Sequence, residues 1–176
     1  MNILILSDTH QNMDFVSIMV HRAQSYDLVI HLGDDYKDAE PFIDASIPLI
    51  RVPGTWTSEY QNEMIENRRF EEFLGWKFFL THTPNSDPHD LLDDVDPASV
   101  IQDQRVDIFC HGHTHQPMIS HQNGVTVLNP GHLKAAVDRG YRASYAILQL
   151  TNQDCQIQII DFELETTVDS YHLNKN

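Results

Sequence analysis

An α/β sandwich containing a mixed sheet is predicted by the order of elements: strands alternate with a helix early, and strands dominate later. Two local patterns support it. Asn2–Ser7 is a continuous apolar run, the pattern of a strand covered on both faces. Asn123-Gly124 separates two apolar runs, a strong short-range hairpin signal. At 176 residues the chain fits one domain, residues 1–176, and is long enough to bury a core without disulfides.

The elements follow in chain order. Asn12 suits a helix N-cap, with Asp14 in the first turn. Val16, Met19, Val20 and Ala23 then recur at helical spacing, so a helix is read from Met13 to Ser25. Leu28–Leu32 and Leu49–Val52 are the second and third buried strands. Strand–helix–strand order implies parallel pairing through right-handed crossovers. Phe70–Leu74 and Trp76–Thr81 read as a hairpin around Gly75. Pro88–Asp103 reads as one helix, or two short ones divided at Pro97. Val106–Cys110 is another buried strand. Pro117–His121 pairs with Val125–Leu128 across the Asn-Gly turn, and Tyr145–Leu150 with Cys155–Phe162 across Thr151-Asn152-Gln153-Asp154.

Composition narrows the function. Apolar residues at 41% and charged residues at 21% are globular values. Eleven Lys and Arg against 26 Asp and Glu give a net charge of −15, which repels nucleic-acid polymers and anionic membranes. No apolar run approaches the roughly 20 residues of a membrane span. The N-terminus lacks the basic region and cleavage site of a signal peptide. Two cysteines are too few for a disulfide scaffold, so a reducing, cytoplasmic location is expected. Eleven histidines in one small chain are the outlying count. Imidazole is a common metal ligand and proton carrier.

Those histidines and several aspartates gather where strands end. Asp8 and His10 follow the first strand, and Asp34 the second. Gly54-Thr55-Trp56 follows the third, and His82 the Trp76–Thr81 strand. His111-Gly112-His113-Thr114-His115 follows Val106–Cys110. In open α/β sheets, sites lie beyond the carboxyl ends of strands. Scattered clusters therefore converge on one edge. An aspartate after a strand is ordinarily a turn residue; five clusters at five strand exits are a different signal. The donors are carboxylate oxygen and imidazole nitrogen without thiolate, a set suited to Mn²⁺, Fe²⁺ or Zn²⁺. They exceed what one ion needs, and two bridged ions form the usual clamp for phosphate esters.

Asp8-Thr9-His10, Gly33-Asp34, Gly54, His82 and Gly112-His113-Thr114-His115 resemble the successive motifs of calcineurin-like metallophosphoesterases. The small size and Asn129-Pro130-Gly131 resemble the compact phosphodiesterase branch often called the YfcE type. The resemblance runs from Asn2 to Gly131. It implies a four-layer α/β/β/α sandwich of mixed sheets with the metal site at the C-terminal strand ends. It also implies two divalent ions, Mn²⁺ first, with Fe²⁺, Zn²⁺ or Ni²⁺ as alternatives. Asp8, His10 and His115 would hold one ion, His82 and His113 the other, and Asp34 would bridge them. A hydroxide between the ions would attack phosphorus in a small phosphodiester.

The third motif departs from the family. Thr55 stands where the family has an Asn ligand, so the second site is weakened or completed by water. Trp56 donates no proton to a leaving group. His132 follows Asn-Pro-Gly and is a candidate local acid or phosphate contact, with a surface role equally open. Arg139 and Arg142 come next, as phosphate contacts or surface residues. The acidic run Asp87, Asp90, Asp93, Asp94 and Asp96 reads as a solvated helix face. The competing reading is a weak or inactive member serving as a binding scaffold, as the fold does in eukaryotic retromer. A homodimer is the expected assembly.

Overall fold

The computed structural model describes residues 1–175. The chain forms eleven strands and three α-helices among these residues. β1 (Asn2–Leu6), α1 (Met13–Ala23), β2 (Leu28–His31), α2 (Glu40–Asp44) and β3 (Leu49–Arg51) come first. β4 (Arg68–Phe73), β5 (Trp76–Thr81), α3 (Pro97–Gln102) and β6 (Ile108–Cys110) follow. β7 (Met118–Gln122), β8 (Val125–Asn129), β9 (Ser144–Leu150), β10 (Asp154–Asp161) and β11 (Thr167–Asn174) complete it.

Two mixed sheets result. One has the order β11-β10-β9-β1-β2-β3 and the other β4-β5-β6-β8-β7. β1, β2 and β3 pair in parallel, as do β5, β6 and β8, with antiparallel strands at the flanks. β1 shows why its run is apolar throughout. Ile3 and Ile5 face the second sheet and meet Phe78, Leu80 and Ile108. Leu4 and Leu6 point the other way and pack with Val16 and Met19 of α1 and Phe42 of α2. Alternation of side chains along a strand buries both sets. On the far side Phe79, Phe109 and Val127 pack with Val100 of α3. The layers are therefore helix, sheet, sheet, helix. Each fully buried side chain of this size contributes on the order of 1.5–3 kcal/mol.

Helix Met13–Ala23 starts where expected, with the Asn12 side chain accepting from Phe15 N. Of the helix, or two short ones divided at Pro97, read over Pro88–Asp103, α3 alone forms, and it begins at Pro97. Asp96 caps it, accepting from Ala98 N and Ser99 N. The residues before it are turns, because their carboxylates bind nearby backbone and remove it from helical pairing. Asp90 Oδ2 accepts from Asp87 N at 2.8 Å and Asp94 Oδ2 from Leu91 N at 2.8 Å. Nor is the acidic run simply solvated: Arg68 Nη2 donates to Asp90 at 2.7 Å, and Asn67 to Asp94 at 2.9 Å. α2 and β11 had no signal in the sequence. β11 is exposed on most of its length and is defined by its antiparallel pairing with β10.

Candidate metal centre

The parallel strands of both sheets release their loops at the same end of the sandwich. Backbone bonds tie the loops together. Gly112 N donates to His82 O at 3.0 Å, Asp8 N to Gly33 O at 3.0 Å and Gly54 N to Asp34 O at 3.2 Å. Glycine is required at two of these junctions. A Cβ on Gly54 would lie 2.3 Å from Asp34 Cα, and one on Gly112 would lie 1.9 Å from Ser7 Oγ.

Asp8, His10, Asp34 and His115 come together so that one ligand atom from each lies within 4.8 Å of the others. His10 Nδ1 is 2.8 Å from Asp34 Oδ2, and His10 Nε2 is 3.0 Å from His115 Nε2. His115 Nδ1 is 2.5 Å from Asp138 Oδ2. With Nδ1 of each ring turned to a carboxylate, the neutral rings present two lone pairs to each other. A second pair of rings meets beside it. His82 Nδ1 donates to Leu32 O at 2.9 Å, leaving its Nε2 facing His113 Nδ1 at 3.3 Å. Two facing lone pairs repel unless a positive charge lies between them. A proton satisfies one contact; a divalent cation satisfies the whole cluster, carboxylates included. The 3.0 Å contact is the spacing of adjacent ligands on an ion with bonds of about 2.1 Å.

Buried polar atoms support the same fit. Asp8 is 1% exposed, and its Oδ1 accepts no hydrogen bond among the described residues. Its Oδ2 is engaged by Ser7 Oγ at 2.6 Å and His113 N at 2.9 Å. Thr55 Oγ1 is also buried without a hydrogen-bond partner among them. A buried polar group left without a partner costs roughly 1–3 kcal/mol.

Electrostatics set the protonation states. Burial alone would raise the Asp8 pKa, but His115, His82 and Ser7 outweigh it and hold it at about 2. Burial opposes charge on His115, yet Asp8 and Asp138 together raise its pKa above the ordinary value. Burial and then His82 lower that of His113. Asp138 is held well below the carboxylate range by Lys134 and His115.

Backbone conformation is costly here. Asp8, His10, Asp34, His113 and His115 all have positive φ, at 53°, 48°, 75°, 64° and 59°. Such conformations cost on the order of 1–3 kcal/mol each and cluster at functional sites. The 8–11 loop is braced by Asp38, whose Oδ2 accepts from Thr9 Oγ1 and Gln11 N, each at 2.7 Å.

A calcineurin-like phosphoesterase superfamily domain matches residues 1–153. The chain belongs to that superfamily. A probable metallophosphoesterase of Mycoplasma pneumoniae is 27% identical over 154 residues, covering 85% of this chain and 89% of that one. The phosphoesterase YfcE from E. coli superposes with a TM-score of 0.71 at 19% identity, covering 99% and 100% of the two chains. Vps29 of Entamoeba histolytica complexed with Zn²⁺ does so with a TM-score of 0.71 at 18% identity, covering all of both chains. These two structures share the fold with this chain.

Other residues singled out in the sequence have distinct places. His132 is fully buried, and its ring spends both nitrogens on backbone: Nδ1 accepts from Lys134 N and Nε2 donates to Tyr141 O. Its ring proton is engaged with Tyr141 O. Its ring lies 5.4 Å from that of His115. Arg142 is turned to Asp161 and Glu163, and Arg139 donates to Thr114 O at 3.0 Å. Trp56 is 76% exposed and lies against His89, with ring centroids 4.6 Å apart. Asp138 and Asp38 carried no signal in the sequence. Each is far along the chain from the side chain it supports.

No helix among the described residues is long and apolar enough to cross a membrane.

Proposed function

We propose that this phosphoesterase hydrolyses small phosphodiesters with two divalent ions. The convergence of Asp8, His10, Asp34 and His115 carries the reading. Asp8, His10 and His115 would hold one ion, and His82 and His113 the other. Asp34 would bridge them, with Thr55 or water filling the remaining position. When bound, the ions supply Lewis-acid stabilisation of phosphoryl charge and activation of water.

The chain's own residues set that chemistry up. Asp138 and Leu32 O fix the tautomers of His115 and His82, so that Nε2 of each faces the centre. Outer hydrogen bonds of this kind orient ligands and raise their basicity. His132 buttresses the His115 side by packing and donates no proton. The acidic surface, at net charge −15, favours small substrates over polyanions. Oxygen and nitrogen donors without thiolate suit Mn²⁺, Fe²⁺, Zn²⁺ and Ni²⁺ alike, and Mn²⁺ is the ion proposed. Both cysteines are free and buried, in keeping with a cytoplasmic location, and a homodimer is the proposed assembly.

The test is elemental analysis of bound metal combined with hydrolysis of bis(p-nitrophenyl) phosphate, with and without Mn²⁺. Two ions per chain and Mn²⁺-stimulated turnover are expected, with Asp34→Asn losing most of both. Wild-type metal content and turnover in that variant would refute the assignment.

A second reading, a scaffold without turnover, is favoured by Thr55 and by the exposed Trp56 in the third motif. Stoichiometric capture of a partner, with no hydrolysis under any divalent ion, would support it.

A further inference from the structure

A departing alkoxide needs a proton, and the histidines closest to the centre are poorly placed to give one. His10, His115, His82 and His113 direct ring nitrogens at one another. His132 has both nitrogens bound to backbone. His31 is buried, with Nδ1 accepting from Gly33 N. His111 is buried, with Nδ1 held by Gly112 O.

His89 differs in each respect. Its side chain is 39% exposed. Its Nδ1 lies 2.7 Å from Asp87 Oδ1, and the same oxygen accepts from His89 N at 2.9 Å. The carboxylate therefore holds the ring by Nδ1–H. Nε2 makes no hydrogen bond among the described residues and is free to carry the transferable proton.

We propose that His89 is the proton donor to the leaving group, oriented by Asp87 and seated against Trp56. This rests on the phosphodiesterase reading above.

The seat connects to the centre through the third motif. Trp56 stands two residues from Gly54, whose N donates to Asp34 O at 3.2 Å. The loop is anchored. Asp87 N donates to Asp90, which takes Arg68 Nη2 at 2.7 Å and Tyr60 OH at 2.5 Å. Gln61 Nε2 donates to His89 O at 2.7 Å. Buried Arg68 thus fixes the loop that presents His89.

In the step, a water oxygen bonds to phosphorus as the bond from phosphorus to the leaving oxygen breaks, and the Nε2 proton moves to that leaving oxygen. An alcohol departs, His89 is left neutral with Nδ1–H still on Asp87, and water restores the proton. Such positioned proton transfer is worth about 10²–10⁴-fold.

The experiment compares kcat/KM for methyl p-nitrophenyl phosphate and methyl phenyl phosphate. The phenolate of the second is the poorer leaving group and gains more from a proton. His89→Gln is expected to lose roughly 100-fold more on the phenyl ester than on the nitrophenyl ester. Asp87→Asn is expected to shift the ratio in the same direction. Equal losses on both esters, or none on the phenyl ester, would overturn the proposal while leaving the phosphodiesterase reading intact. Failure of the wild type on both esters would overturn both. Imidazole ¹⁵N shifts of the metal-free protein give an independent readout. A protonated Nδ1 bonded to Asp87 is expected in the wild type and its loss in Asp87→Asn; a wild-type ring with a bare Nδ1 would sink the assigned orientation.

Discussion

His10 Nε2 and His115 Nε2 face each other at 3.0 Å across 105 positions of sequence. Each ring reaches that position from a residue with positive φ. Asp34 Oδ2 lies 2.8 Å from Nδ1 of one ring and Asp138 Oδ2 2.5 Å from Nδ1 of the other. The arrangement spends backbone strain to aim two lone pairs at one point. A cation at that point offsets the cost.

Asp138 should matter to metal affinity without touching the metal. It orients His115 and is itself held by Lys134 at 2.7 Å. Asp138→Asn is expected to weaken metal binding about 10–100-fold, the usual cost of losing such an outer partner. Isothermal titration with Mn²⁺ measures this, and circular dichroism checks that the fold is kept. Unchanged affinity would mean that His115 is oriented by packing alone.

Gly112 has no room for a side chain. An added Cβ would lie 1.9 Å from Ser7 Oγ and 2.6 Å from Asp8 Oδ2. Gly112→Ala should destabilise the fold by about 1–3 kcal/mol, as overpacking of a tight interior does. It should also displace Asp8 and lower metal content. Urea denaturation and elemental analysis report the two effects separately. A wild-type unfolding midpoint would show that the loops separate without cost.

The two thiols should be inert in the folded protein. Cys110 and Cys155 are fully buried. Burial raises both pKa values, that of Cys155 to about 12. A raised pKa leaves the neutral thiol, which is not the nucleophile. At pH 8 neither should react with a disulfide reagent until the chain is unfolded in urea, when two thiols per chain should titrate. Rapid labelling of the native protein would contradict the burial.

The strands were legible because their apolar runs are long and uninterrupted, and β1 shows the cause: one face meets the second sheet and the other meets α1. The candidate ligands were legible because five strand exits carried Asp, His or Gly at short spacing. The non-helical course of residues 88–96 was not. Asp90 and Asp94 turn their carboxylates onto nearby backbone, and Arg68 and Asn67 reach them from another strand. β11 was hidden because its exposed residues leave no periodic trace. His132 read as a local acid, a phosphate contact or a surface residue; it is fully buried, with its ring 5.4 Å from that of His115.

By itself the sequence determined the sandwich and the edge where chemistry gathers, because continuous apolar runs and strand-end placement are local properties of the chain. Only the tertiary structure decided which nitrogen of each histidine faces the centre, that Asp138 and Asp38 brace it, and that His89 rests on Trp56. Those contacts join segments from separate strand exits, and their geometry depends on how the two sheets stack.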